Sequence, residues 1–285
     1  MKKLLALLLA VWMVLSLSAC SGGEDGGTNL DDYVQEDEDE ITFVTNDKGQ
    51  TFHFEAIDSE SVVLTKYEGP SDPHDVEIPE TLNGKTVVAI GDSAFYFCSA
   101  IRSLSFPATV ETIGEMAFAG CSLIGELEIP ATVTAIGASA FARCTSLVSV
   151  SFPETSEWTN IEQYTFEGCT ALAELTVPSY IKTVGTGAFF GCTALASVTV
   201  ESDGDNGVQV VGAQAFHKCE ALASLALPGT VASIGEFAFY GCNNLYMDRV
   251  TCPAGSYAEE YILDLGLGAT APAEPGTETE TDAVA

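Results

Sequence analysis

Nine cysteines and three histidines are the side chains in this 285-residue sequence with the most chemistry to offer, set among 41 carboxylates. Clustered thiolates and imidazoles hold transition metals, and a structural zinc site wants close pairs such as Cys-x-x-Cys. No such pair exists here, which also removes a dithiol redox motif. A nucleophile needs a base within reach. His53 and His74 lie in the first third of the chain, far from any repeated nucleophile. His217 stands between Phe216 and Cys219, where other parts of the chain carry Ala, Glu, Phe or Tyr, and is read as a solvated side chain. There is no nucleophile elbow, Walker loop or His-Glu-x-x-His. Carboxylates are so common that accidental pairs are expected, so they lend little support to glycosidase chemistry. Asp203, Asp205 and Asn206 could offer oxygens to calcium, yet the segment lacks a twelve-residue loop and its closing Glu. It is read first as an acidic loop. The expectation is a protein without cofactor and without catalysis.

The elements that position these residues come from an internal repeat. Phe-x-x-Cys occurs seven times, as Phe95/Cys98, Phe118/Cys121, Phe141/Cys144, Phe166/Cys169, Phe189/Cys192, Phe216/Cys219 and Phe239/Cys242. Successive cysteines are 23, 23, 25, 23, 27 and 23 residues apart. In the unit Val133–Pro153, the inward set is Val133, Ile136, Ala140, Phe141, Cys144, Leu147, Val150 and Phe152. Val150 and Phe152 alternate with Ser149 and Ser151 as in a strand. Gly137 is assigned to a tight turn, and Ala138–Arg143 to a helical or 3-10 turn. One unit cannot bury this apolar set alone, but stacked units cover one another. The fold class that follows is a solenoid with one parallel sheet of short strands. The two longer spacings fall just after the strand, around Trp158 and Asp203, where extra length enters loops. The fourth unit carries Glu162 for Gly and Thr165 for Ala, which leaves its turn geometry open.

Stacking places the seven cysteines in a column about 5 Å apart between coils. That distance permits disulfides, but parallel inward Cβ vectors favour free thiols filling space as small apolar groups. Cys242 and Cys252 are the pair least firmly excluded.

The ends differ from the middle. Lys2 and Lys3, an apolar run from Leu4 to Leu17 and small residues up to Ala19 read as a secretion signal, residues 1–19. Leu17-Ser18-Ala19-Cys20 resembles the bacterial lipobox, which implies lipid on Cys20 and a membrane anchor. Residues 20–40 and 268–285 are acidic and are expected to be disordered. Ten Lys and Arg give a formal net charge of −31, so nucleic acid is not an expected partner.

Over roughly Asp75 to Val250 the pattern resembles the Bacteroides-surface-protein-A-like leucine-rich repeats of bacterial surface proteins. The resemblance implies a leucine-rich-repeat solenoid over residues 75–250, a β cap over 41–74 and a capping helix within 251–267, with Ser256 as N-cap. It implies a lipid-anchored protein on the extracellular face of a bacterial envelope that recognises a protein or glycan, or else an envelope spacer without a ligand. A monomer is expected. The candidate binding face is the outward set Ser103, Ser105, Glu126, Glu128, Ser149, Ser151, Glu174, Thr176, Ser197 and Thr199, continued by Ser224 and Ala226. Trp158 and Tyr180 are loop aromatics with two readings, exposed contact residues or covers for a coil edge; Trp158 is grouped with the face.

Overall fold

The computed structural model describes residues 42–154 and 156–267. The expected signal segment, Cys20, the acidic spacer and the acidic C-terminal tail lie outside these residues.

The expected solenoid is present, and each coil has three walls. The first is a wall of parallel strands, from His74–Glu77 and Ile101–Ser105 through Glu126–Glu128, Ser149–Ser151, Glu174–Val177, Ser197–Val200 and Ser224–Ala226 to Val250–Thr251. The second contains short parallel strands ending at Ile90, Ile113, Ile136, Ile161, Val184, Val211 and Ile234. The third is a wall of turns carrying Phe-x-x-Cys. We number the seven coils by their cysteines, Cys98 in coil 1 to Cys242 in coil 7.

The apolar columns meet inside. The rings of Phe95, Phe118, Phe141, Phe166, Phe189, Phe216 and Phe239 stack with centroids 4.7–5.7 Å apart. Tyr67 extends the stack at the N-terminal end, 4.8 Å from Phe95. The cap is therefore continuous with the repeats rather than a separate layer. Its strands Phe43–Thr45, Thr51–Ala56 and Ser61–Glu68 run antiparallel, and the third pairs in parallel with Lys85–Ile90. At the other end helix α1, Tyr257–Asp264, starts at Ser256, whose hydroxyl accepts from the Glu259 N–H. It buries Ala258 and Ile262 against the last coil.

The turn wall differs from the expected helical piece. Bonds from i+3 to i are present, such as Ala140 N–H to Gly137 O and Cys144 N–H to Phe141 O. However, Ser139 and Arg143 sit at φ 57° and 60°, so the chain alternates hand and no helix can propagate. The same two places are left-handed in every coil, from Ser93 and Phe97 to Phe237 and Gly241.

Gly137 has a different role from the one expected. Its φ is not left-handed. A Cβ there would lie 2.6 Å from the Glu115 backbone nitrogen of the coil before, so the missing side chain lets two backbones touch. Glycine N–H groups bond across this contact, as in Gly114 to Ile90 O and Gly137 to Ile113 O. Coil 4 has Glu162 instead, and among the described residues its N–H makes no such bond to Ile136. The short-strand wall breaks at that junction, where ring spacing is also widest, 5.7 Å between Phe141 and Phe166. Thr165 is accommodated because its buried hydroxyl donates to Glu162 O at 2.8 Å.

Candidate recognition surface

Register turns the outward residues of the strand wall into two columns. One runs Asp75, Ser103, then Glu126 beside Ser149, then Glu174, Ser197 and Ser224. The other runs Glu77, Ser105, then Glu128 beside Ser151, then Thr176, Thr199 and Ala226. Acids therefore face hydroxyls in the neighbouring strand, an arrangement that avoids like charges directly opposite each other. The inward alternates Leu127, Leu175, Val198 and Leu225 are buried.

Not every residue on the face is free. Asp75, absent from the sequence-based set, accepts two bonds from Arg102 at 3.2 Å and one from Ser103 Oγ at 2.8 Å. These bonds, Arg102 first and Ser103 next, hold its carboxyl below the usual range. Ser103 is thus tied to its own neighbour. Aligning the units by register would have revealed the pair, because Asp75 stands opposite Ser103.

Trp158 does not belong to the face. It is only 1% exposed, its indole N–H donates to Asn160 O, and its ring stacks on Phe152 at 5.5 Å. It lies three residues before Ile161, as Val133 lies before Ile136, so it fills a core column inside the two-residue insertion. Tyr180 covers a coil edge, its hydroxyl donating to Pro153 O at 3.0 Å; burial, then Glu201, pushes its pKa to about 12.

The segment holding Asp203, Asp205 and Asn206, read first as an acidic loop, turns back on itself. Ser202–Asp203 and Asn206–Gly207 pair as a tight hairpin, and the Lys182 ammonium donates to Asn206 Oδ1 at 3.0 Å, setting a cation where a metal would need an oxygen. Among the described residues no group of three or more Asp, Glu, His or Cys is placed to hold a metal.

Nor do the cysteines form a reactive site. The eight described are free thiols. Each Sγ from Cys121 to Cys242 donates to the carbonyl of the Phe in the preceding coil, at 3.1–3.4 Å. Burial pushes Cys144, Cys192 and Cys242 up to about 12, and Cys98, which is less covered, to about 11. Such thiols stay protonated and unreactive at neutral pH. Cys98 borders a 260 Å³ hollow with Tyr67 and His74, where the tyrosine hydroxyl lies 2.8 Å from His74 Nε2. His217, expected in solvent, lies between two rings, stacked on Phe190 at 4.9 Å and tilted against Tyr240 at 5.2 Å. Desolvation, then Lys218, lowers its pKa. The exposed aromatics Tyr96, Phe97, Phe237 and Tyr240 also lie on the turn wall, none on the strand wall. Their signal in the sequence is their place before the cysteine, one or two residues for Tyr96, Phe97 and Tyr240 and five for Phe237.

Comparison with known proteins agrees with this architecture. The family model described as BspA type leucine rich repeat region matches residues 88–206 and 203–257, in 6 copies. A leucine-rich-repeat protein of T. pallidum superposes with a TM-score of 0.63 at 28% identity, over 77% of this chain and 97% of that one. A leucine rich cell surface protein from Faecalibacterium prausnitzii A2-165 gives 0.58 at 28% identity, over 75% of this chain and 55% of its own. A leucine-rich-repeat protein from Eubacterium ventriosum gives 0.59 at 24% identity over 70% and 50%, a likeness of fold. No curated protein matches the sequence.

Proposed function

We propose, from the premise that this chain belongs to the BspA-type leucine-rich-repeat family, that it is a non-catalytic recognition protein of a bacterial surface. Lipid on Cys20 holds it at the outer face of the envelope, and the strand wall binds an extracellular protein or glycan. The observation that carries the reading is the strand wall itself, a face with carboxylates and hydroxyls in register opposite one another. Solenoids present such extended faces to partners. The net charge of −31 favours a neutral or cationic partner and a monomer, because copies repel one another. The cell-surface description of the Faecalibacterium protein supports the location.

The test is binding of the full chain to panels of extracellular-matrix proteins and neutral glycans. Glu126→Gln, Glu128→Gln and Glu174→Gln together should weaken a saturable interaction by about tenfold. An interaction untouched by these changes would remove the strand wall from the reading. The absence of exposed aromatic anchors on that wall favours a second reading, an acidic spacer without a ligand. That reading predicts no saturable binding in any panel. Cells fed a labelled fatty acid should label the parent protein and not Cys20→Ala, and an unlabelled parent would refute the lipid anchor.

A further inference from the structure

In each of coils 1 to 6, three N–H groups of the turn wall donate to carbonyls of the next coil. Ser93, Phe95 and Phe97 bond to Glu115, Ala117 and Ala119, and the pattern continues to Gln214, Phe216 and Lys218, which bond to Glu236, Ala238 and Tyr240. This ladder crosses all six junctions between coils with bonds of 2.6–3.0 Å. It is intact between coils 3 and 4, where Ser139, Phe141 and Arg143 donate to Gln163, Thr165 and Glu167.

The other two walls both part at that junction. The short-strand wall stops at Ala135–Ile136 and starts again at Asn160–Ile161, and the strand wall stops at Ser149–Ser151 and starts again at Glu174–Val177. A second gap in the strand wall, between coils 1 and 2, is bridged by a continuous short-strand wall. Among the described residues the junction of coils 3 and 4 is therefore the one at which both walls are open.

The cause is steric. At the five other junctions Gly114, Gly137, Gly185, Gly212 and Gly235 stand where a Cβ would come within 2.3–2.8 Å of backbone in the preceding coil. Glu162 brings a Cβ to that place, and the stacked Phe rings are farthest apart here, at 5.7 Å. On the open side Ala173 N–H donates to Val148 O at 3.3 Å, and the Ser156 hydroxyl donates to Val133 O at 2.8 Å. Opposite the turn wall, at the corner where the strand wall gives way to the short-strand wall, Trp158 of coil 4 stacks on Phe152 of coil 3 and closes the seam.

Stability in a stacked array is a sum over contacts between neighbours, so the array yields first where the fewest are made. We propose that the molecule is two rigid blocks, the cap with coils 1–3 and coils 4–7 with α1, that swing apart at this seam. The unbroken turn wall is the pivot, and the stack of Trp158 on Phe152 is the latch. The swing changes the distance between Ser151 and Thr176, so the outward residues of the strand wall act as two patches of variable tilt.

Hydrogen exchange of the full chain, read by NMR, tests this. The Trp158 indole N–H, bonded to Asn160 O, reports the latch, and Trp12→Phe assigns its signal. The Gly185 N–H, bonded to Ile161 O at the closed junction of coils 4 and 5, and the Phe141 N–H on the pivot report wider opening. Relative to its unprotected rate, the Trp158 indole should be about tenfold less protected than either. Its exchange should also respond less to urea, since a swing exposes less surface than unfolding does. Glu162→Gly should slow Trp158 about tenfold and leave Gly185 unchanged, whereas Glu162→Ala, which keeps the Cβ, should match the parent. The three rates in the parent decide the matter even where a variant does not fold. Protection at Trp158 equal to that at Gly185, or an equal urea response, would overturn the proposal. So would a Phe141 amide that opens together with Trp158, which would mean that the coils separate outright, or a folded Glu162→Gly with no slowing at Trp158.

Discussion

Raising the pH through 9 and 10 should strongly destabilise this protein, because its thiols are buried in a row. Cysteine's ordinary pKa is near 9.0, and desolvation pushes Cys144, Cys192 and Cys242 to about 12. Cys121, Cys169 and Cys219 are also raised, with burial the first cause. A raised folded pKa means that the native state holds protons which the unfolded chain releases. The stability is therefore complete below about pH 8 and is lost as pH rises through 9 toward 12. At pH 10 each thiol released on unfolding favours the unfolded state by about 1.4 kcal/mol, so six remove about 8 kcal/mol. That is comparable to the whole stability of many domains. The assay is urea unfolding at pH 8, 9 and 10 under reductant, followed by the fluorescence of the buried Trp158. The midpoint should fall steeply over this range, and a variant with the six cysteines replaced by Ala should show a much flatter dependence from a lower start. A midpoint independent of pH between 8 and 10 in the parent protein would refute the reasoning, since six thiols cannot be both buried and free to ionise.

Phe141→Ala should cost about 3–5 kcal/mol, read as a shift in the urea midpoint, since its ring is stacked on both faces. Trp158→Ala should cost a similar amount and leave saturable binding at the strand wall unchanged, because the indole is core. Gly212→Ala places a Cβ 2.6 Å from the Gly185 carbonyl carbon and the Thr186 nitrogen, backbone atoms that cannot rotate away. It should destabilise by about 1–3 kcal/mol, with faster amide exchange at the junction of coils 5 and 6. Thiol titration in denaturant without reductant should find every described cysteine reactive, and a deficit of two or more would reveal a disulfide.

Side-chain periodicity makes most of the fold legible in the sequence. The Phe and Cys columns repeat at one spacing, and the outward strand residues alternate with buried ones, so coil, strand and core followed from counting. Trp158 was misplaced because two inserted residues hid its register, although Ile161 three residues later marks it as the partner of Val133. Gly137 was misread for a different reason. A glycine that yields φ and a glycine that yields space look the same in a sequence, and only the approach of Glu115 decides between them. The ladder of the turn wall was not legible at all. Its bonds join backbone groups, and the residues at its left-handed places, Met116, Tyr164 and Gln214 among them, share no side-chain chemistry. At the candidate site, the hydroxyls and acids were placed by alternation, while the tie between Asp75 and Ser103 needed pairing between coils.

The glycine contact between coils also fixes how such a molecule can grow. Because pitch is set by backbone against backbone, each 23-residue unit adds one rung, about 4.8 Å, whatever its outward residues are. Length and surface chemistry are then separate variables, the first altered by duplicating rungs and the second by editing side chains on one wall. Coil 4, where Glu162 interrupts the contact, is the place where that uniform ruler has a joint.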